Sequence, residues 1–157
     1  MSTPLQPAVQ MREATRADLP TLLALFEDSG VDAAGSNDPE HAAAQWDAIH
    51  RIANARVLVA ESEGRVLGTL TLFILPLLAH GGAPEALVES VVVHPDAQGH
   101  GVGRAMMQHA MRIAAEHHCY KLALTSNVQR EGAHAFYDRL GFERHGVSFV
   151  ITPQEAP

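Results

Sequence analysis

The sequence predicts a single domain of the α/β (α+β) class, built around a mixed central sheet. Its 157 residues, 46% hydrophobic and 18% charged, suffice for one hydrophobic core and are too few for two domains of ordinary size. Runs rich in β-formers alternate with segments of helical periodicity. One pair of runs is joined by a hairpin signal and a later pair by a helix, so the sheet must contain both antiparallel and parallel strands.

The first half begins with a strand and two helices. Alternating apolar residues predict a strand over 9–11. A helix follows, for which either Thr15 or Asp18 can be the N-cap. Asp18 is favoured, because Pro20 then falls in the first helical turn, where its missing N–H costs nothing. Asp38, followed by proline, predicts the start of a second helix.

The remaining elements follow from turn signals between periodic runs. Glu63-Gly64 joins two β-rich runs as a hairpin. Gly141 is placed to terminate the last helix as its C′ residue. The predicted elements are strands 56–61, 65–75 and 86–93, helix 102–118, strand 120–125, helix 130–140, and two closing strands, 142–144 and 148–151.

Composition and charge exclude several classes of protein. The net charge of −7 argues against nucleic-acid binding, which needs a surplus of Lys and Arg. The single cysteine excludes a disulfide framework and fits a reducing compartment. The ten histidines show no ligand spacing, so no metal site is expected. With no signal peptide or membrane-spanning run, we expect a cytoplasmic protein that does not bind membranes.

A glycine-rich turn carries the clearest functional signal. Gly99, Gly101 and Gly103 alternate between a valine-rich strand and the start of a helix. Such a turn lets backbone N–H groups approach a phosphate at the helix start. The same glycines are equally compatible with a connector that only packs the helix on the strand. A Walker loop is excluded because Arg104-Ala105 follows the last glycine, and a Rossmann turn because no acidic residue lies in the next strand.

Two motifs resemble those of the GNAT N-acetyltransferase superfamily. The pyrophosphate-binding turn of that superfamily is similar to the segment Gln98-Gly99-His100-Gly101-Val102-Gly103. The second signature is similar to Asn127, Ala135-Phe136-Tyr137 and Leu140-Gly141-Phe142, in that order. The resemblance implies one N-acetyltransferase domain over residues 8–152, with helices on both faces of the sheet.

Two branches of the superfamily resemble this sequence in particular. Cys119-Tyr120-Lys121, together with Glu89, resembles the glucosamine-6-phosphate N-acetyltransferases. The run Thr125-Ser126-Asn127, with Arg130 and His134, is similar to the aminoalkylphosphonate N-acetyltransferases. Because these residues mostly serve the cofactor half of the fold, neither likeness identifies the acceptor amine.

The resemblance implies acetyl-CoA as the acetyl donor. It places the pantetheine alongside residues 91–93 like an added strand, with a backbone N–H near Val93 facing the thioester oxygen. Asn127 either binds the pantetheine amide or caps the following helix. The expected cofactor-binding residues are Val91, Val92, Val93, Gln98, Gly99, His100, Gly101, Val102, Gly103, Arg104, Asn127 and Tyr137.

Glu89 and Tyr137 are the candidate catalytic residues. Glu89 lies inside an apolar strand, and strict alternation places it on the same side as Val91 and Val93. A carboxylate there is either a base or substrate ligand, or a charge paired with an arginine or a backbone amide. By resemblance Tyr137 lies near the coenzyme sulfur and protonates the departing thiolate. The alternative is a core aromatic residue packed on Phe136.

The expected function is acetyl transfer to a primary amine of a small molecule, by direct attack of the amine on the thioester. The alternatives are acetylation of a peptide lysine or N-terminus, and a non-catalytic acetyl-CoA sensor. Retention of Glu89, Asn127 and Tyr137 favours catalysis. We also expect a homodimer, because the nearest-looking branches form dimers and the apolar run Phe149–Ile151 would leave an exposed edge in a monomer.

Overall fold

The computed structural model describes residues 8–154. The described residues up to Leu124 form one compact unit, and those from Thr125 onward form another. The first unit contains strands β1 (Gln10–Glu13), β2 (Ala55–Ser62), β3 (Arg65–Leu75), β4 (Glu85–Val93) and β5 (Lys121–Ala123), and helices α1 (Leu19–Asp28), α2 (Pro39–His50) and α3 (Val102–Glu116). The second unit contains helix α4 (Glu131–Arg139).

The five strands form one mixed sheet in the order β1-β2-β3-β4-β5. The first four are antiparallel neighbours. β4 and β5 are parallel, and their pairing runs only from Glu85↔Lys121 to Leu87↔Ala123. The prediction of a mixed sheet with one parallel pair is therefore confirmed.

Local turn and cap chemistry explains most of the element boundaries. Glu63 and Gly64 both have positive φ, 50° and 77°, as a two-residue hairpin between twisted strands requires. Asp38 accepts hydrogen bonds from the N–H groups of Glu40 and His41, and so caps α2.

Asp18 is the N-cap residue of α1 and Pro20 lies in the first turn, which confirms the favoured prediction, although the Asp18 side chain makes no capping hydrogen bond to the helix. A single 3₁₀ turn, Arg16–Asp18, precedes the helix, and Thr15 is the N-cap of that turn. The Asp18 carboxylate accepts from the Thr15 N–H at 2.7 Å and pairs with Arg12 at 2.7 Å. These contacts lower the pKa of Asp18 to about 2. Asp18 is therefore ionised at neutral pH and ties the start of α1 to β1.

The core lies between the sheet and α3. Its most enclosed side chains include Leu58, Leu70 and Leu72 of the sheet and Met106 and Met107 of α3, each no more than 1% exposed. These residues on both sides of the interface hold α3 against the strands, and with it the turn that precedes α3.

Glycine at position 68 of β3 makes this packing possible. An ideal Cβ built on Gly68 would lie 2.6 Å from the Met106 sulfur, 2.9 Å from the Val92 carbonyl oxygen and 3.3 Å from Val102. The Val92 oxygen belongs to the neighbouring strand, so it cannot move aside as a side chain can. α3 therefore approaches β3 more closely than any larger residue would allow.

The predicted closing strands are wrong for the described part of the chain. No strand is formed between residues 142 and 154. Val147, Phe149, Val150 and Ile151 are 80–94% exposed. Their β-branched and aromatic character predicts a strand, but a strand also needs a partner that satisfies its backbone N–H and C=O groups. These residues have none in residues 8–154.

We predict that Gly68→Ala lowers the free energy of unfolding by about 1–3 kcal/mol, because the added methyl group overpacks the interface between α3 and β3. Urea unfolding followed by circular dichroism measures the change. Gly132→Ala is the matched control, since an added Cβ on this α4 residue meets nothing within 4 Å. Alanine is the better helix former, so the control should be neutral or stabilising. Equal stability of Gly68→Ala and the parent would contradict the packing argument.

Candidate functional site

Strand β4 carries a bulge in the middle of its pairing with β3. The register runs from Thr69↔Val92 to Thr71↔Glu89, so β4 has one more residue than β3 over this interval. Ser90 adopts the left-handed conformation with φ 52° and is exposed. Bulges with strained residues are enriched beside active sites, where they redirect side chains.

The bulge corrects the predicted environment of Glu89. Paired residues share a face of the sheet, so Glu89, opposite Thr71, lies on the same face as Val92, opposite Thr69. It does not lie on the face of Val91 and Val93, as strict alternation predicts. Its side chain is exposed rather than buried, and it has no hydrogen-bond or ion-pair partner within residues 8–154. The carboxylate is therefore free to meet a ligand.

Beyond the bulge, one edge of β4 is open. The N–H of His94 donates to the Leu67 carbonyl, and the Val92 carbonyl also points towards β3. Since backbone polar groups alternate sides along a strand, those of Val91 and Val93 point away from β3. Pairing with β5 ends at Leu87, so no strand of the described chain covers this edge. An extended ligand with amide groups can pair there.

The glycine turn follows directly after β4. A 3₁₀ turn over Pro95–Ala97 leads to Gln98, after which Gly99 and Gly101 have φ values of 79° and 83°. Other residues rarely adopt this conformation. A Cβ on either glycine would meet no atom within 4 Å. The glycines are therefore required for the path of the backbone, not for close packing against the protein.

This path leaves backbone donors free at the start of α3. The first bond of the helix runs from the Ala105 N–H to the Gly101 carbonyl. The N–H groups of Val102, Gly103 and Arg104 come before it and have no acceptor in the part of the chain that the structure describes. Free N–H groups and the helix dipole together favour an anion at this position.

The charges around the turn also suit an anion. α3 has no acidic residue in its first turn, and its sequence reaches Arg104 and Arg112 before the first carboxylate, Glu116. Arg104 is exposed and forms no ion pair with another described residue. The His100 ring bonds the Gln98 carbonyl at 2.9 Å, and the Gln98 side-chain amide donates to the Val93 carbonyl at 3.3 Å. The first bond stiffens the turn itself, and the second ties it back to the end of β4.

In the second unit, Asn127 organises the approach to α4. Its side-chain oxygen accepts from the Gln129 N–H at 2.9 Å, and its carbonyl accepts from the His134 ring at 2.9 Å. Arg130, not Asn127, is the N-cap of α4. The side-chain NH₂ of Asn127 has no acceptor among residues 8–154. The side chain thus shapes the turn and still has donors to offer.

Tyr137 packs against two other aromatic rings of the second unit. Its ring centroid lies 5.1 Å from that of Phe136 and 5.6 Å from that of Phe142. Gly141, with φ 91°, ends α4 with bonds from Gly141 to Asp138 and from Phe142 to Tyr137, which confirms its predicted role. Burial raises the pKa of the Tyr137 phenol, and the charge of Arg130 partly opposes this shift. The phenol is therefore protonated at neutral pH.

Three features that the sequence does not predict are a metal site, a reactive cysteine and a membrane-spanning helix. Among the described residues, no cluster of three or more His, Cys, Asp or Glu side chains is placed to hold a metal ion. Burial raises the pKa of the Cys119 thiol, which disfavours a thiolate nucleophile. None of the helices in the described part of the chain is both long and apolar enough to cross a membrane.

Two features of the site carry no recognisable signal in the sequence. They are the bulge at Ser90 and the requirement for glycine at position 68. A bulge arises from the pairing of two strands, and residues 89–91 alone do not encode it. Only the alternating glycines and the motif around Asn127 and Tyr137 are readable before the fold is known.

Comparison with known proteins places the chain in a family. Residues 19–142 match the Acetyltransferase (GNAT) family, and the chain belongs to this family. The resemblance inferred from the two motifs is therefore confirmed, and with it the α/β fold.

A curated relative and two solved structures illustrate the match. The glucosamine 6-phosphate N-acetyltransferase of Trypanosoma brucei brucei is 34% identical over 90 residues, 57% of this chain and 59% of that protein. This chain thus spans less than two thirds of the length of the curated relatives it matches first. A Trypanosoma brucei acetyltransferase structure has a TM-score of 0.80 at 28% identity, covering 93% of this chain and 100% of that one.

An aminoglycoside N-acetyltransferase solved in complex with CoA has a TM-score of 0.79, covering 99% of this chain and 100% of that chain. At 15% identity this likeness concerns the fold alone.

Proposed function

We propose that the chain is an acetyl-CoA-dependent N-acetyltransferase that acetylates a primary amine of a small molecule. The observation that carries the proposal is the turn from Gln98 to Arg104, whose left-handed glycines leave backbone donors free at the start of α3. Membership of the family and a fold shared with a CoA-bound acetyltransferase support it. Residues 8–152 are proposed as the acetyltransferase domain, and a cytoplasmic location stays a prediction from the sequence.

Acetyl-CoA would be held by backbone groups more than by side chains. The pyrophosphate would accept hydrogen bonds from the free N–H groups of residues 102–104, with Arg104 adding a positive charge. The pantetheine would pair with the open edge of β4 through the backbone of Val91 and Val93. The free amide donors of Asn127 suit a pantetheine carbonyl. His100 and Gln98 would keep the turn in place.

Acetyl transfer would proceed by attack of a neutral amine on the thioester carbonyl. Negative charge then develops on the carbonyl oxygen, and the backbone N–H of Val93 on the open edge is the group proposed to stabilise it. A free alkyl ammonium has a pKa near ~10.4, so only roughly one molecule in 2,500 is neutral at pH 7. Loss of its proton is therefore an essential step of the reaction.

Glu89 and Tyr137 are proposed to handle the two protons. Glu89 is exposed and unpaired within residues 8–154, so its carboxylate can accept the ammonium proton directly or through water. Tyr137 is protonated at neutral pH because burial raises its pKa, and a protonated phenol can donate to a departing thiolate. Tyr137 thus holds its proton before the reaction starts.

The acceptor is proposed to be a small molecule such as an amino sugar. Support comes from the curated relatives that act, by their names, on glucosamine 6-phosphate. A panel of amino sugars, aminoalkylphosphonates, polyamines, amino acids and lysine peptides, with thiol release as the readout, tests the class. Turnover of lysine peptides alone would overturn the small-molecule proposal, and acetyl-CoA binding without turnover of any amine would favour a sensor.

We predict that Gly101→Val weakens acetyl-CoA binding about 10-fold or more. A β-branched residue at φ 83° is strained by roughly 1–3 kcal/mol, so the turn shifts and misdirects the N–H groups behind it. Isothermal titration with acetyl-CoA measures the affinity. Gly30→Val is the matched control, because Gly30 has φ 74° and open space around it but follows α1. Unchanged affinity in Gly101→Val would remove the turn from the cofactor site.

We predict that Tyr137→Phe lowers kcat by roughly 10²–10⁴ with little change in the KM for acetyl-CoA, because only the transition state uses the proton. The substitution keeps the ring that packs on Phe136 and Phe142. Glu89→Gln should lose activity mainly at low pH, and its deficit should shrink as free amine becomes available. Thiol release from pH 6 to 10 measures both profiles. A Tyr137→Phe variant as fast as the parent at every pH would leave the residue a packing role only.

We also propose that the protein is a homodimer. Phe149, Val150 and Ile151 are 90–94% exposed, and a second copy of the chain would cover this apolar run. Light scattering at micromolar concentration should give twice the chain mass of 16.9 kDa. Phe149→Asp should give the mass of one chain. A parent protein of monomeric mass would refute the proposal.

A further inference from the structure

His94 lies at the junction between β4 and the glycine turn. Its N–H donates to the Leu67 carbonyl of the β3 strand at 2.8 Å, and its carbonyl accepts from the Ala97 N–H at 2.8 Å. The backbone of His94 thus ends the strand and closes the 3₁₀ turn over Pro95–Ala97. The next residue after that turn is Gln98, where the proposed cofactor segment begins.

The His94 side chain caps the same 3₁₀ turn. Its Nδ1 atom accepts a hydrogen bond from the Asp96 N–H at 3.1 Å, and a guanidinium nitrogen of Arg65 lies 3.4 Å from Nδ1. Capping side chains are usually Asp, Asn, Ser or Thr. At this position the capping group is the His94 imidazole, and the side chain is 19% exposed.

These contacts determine where the proton of the ring lies. The backbone N–H of Asp96 and the guanidinium of Arg65 can only donate, so Nδ1 must hold a free lone pair. The neutral ring then carries its hydrogen on Nε2, which lies 3.8 Å from the Asp28 carboxylate at the end of α1. The ring therefore joins the turn to β3 through Nδ1, and its Nε2 faces the Asp28 carboxylate beyond hydrogen-bond distance.

We propose that His94 is a positioning residue for acetyl-CoA: it holds the 3₁₀ turn so that the free N–H groups of residues 102–104 face the pyrophosphate. The proposal rests on the proposed function of that turn. His94 has no predicted contact with the reacting atoms. It acts on binding by keeping the turn in the competent conformation before the ligand arrives.

Charged groups lie around the ring at longer distances than the cap. The carboxylates of Asp28 and Asp96 are 3.8 Å and 3.7 Å from the ring nitrogens, and their side chains are 60% and 74% exposed, so water screens them. Arg12, which lines the same cleft, is paired with Asp18 and Glu61. The hydrogen bond that Nδ1 accepts from the Asp96 N–H is therefore the contact through which the side chain holds the turn.

The experiment compares acetyl-CoA affinity in three variants by isothermal titration at pH 8. We expect His94→Ala to raise the Kd about 3- to 30-fold, the usual range for loss of a cap. His94→Asn should stay within about twofold of the parent, because its side-chain oxygen also accepts the Asp96 N–H. His41→Asn, on the exposed face of α2, is the control and should bind like the parent. In turnover assays His94→Ala should raise the KM for acetyl-CoA and leave kcat unchanged.

The comparison of the parent with His94→Asn keeps the inference testable even where His94→Ala proves too unstable to assay.

Each outcome decides the inference. His94→Ala binding like the parent, or a folded His94→Asn as weak as His94→Ala, would show that capping by residue 94 does not matter. Failure of the parent itself to bind acetyl-CoA would instead overturn the proposed function, so the two failures are distinguishable.

Discussion

The close approach of α3 to β3 at Gly68 is the contact on which the candidate site depends. With no side chain at this position, Met106 and Val102 of the helix come within contact distance of the strand, beside the Val92 carbonyl of β4. The start of α3 is therefore fixed next to the end of β4. Since the free N–H groups belong to the first turn of that helix, a packing constraint in the core determines where an anion can bind.

Strand β4 has a different role on each side of its bulge. Residues 85–87, before Ser90, pair with the short strand β5. Residues after Ser90 keep one edge bonded to β3, and no strand of the described chain pairs with the other edge. Ser90, in the left-handed conformation, marks the position between these two segments where the pairing register with β3 also changes.

Most of the fold could be predicted from the sequence because its signals are local. The alternating glycines, the hairpin at Glu63-Gly64 and the C′ residue Gly141 each indicate a local backbone conformation. Such a conformation depends on neighbouring residues and not on partners distant in sequence. The predictions that failed depend on partners distant in sequence. Glu89 was placed on the wrong face because its side is determined by pairing with Thr71, and residues 142–151 lack the partner that a strand needs.

The extra residue in β4 has a consequence for protein engineering. Counting every second residue selects one face of the strand only within 85–89 or within 91–93, and the rule reverses between these segments. A designer who alters the face that carries Glu89 must therefore count Val92, and not Val91, as the residue on the same face. Deletion of Ser90 would restore a regular ladder and remove this reversal, so any redesign of this face depends on keeping the length of the strand.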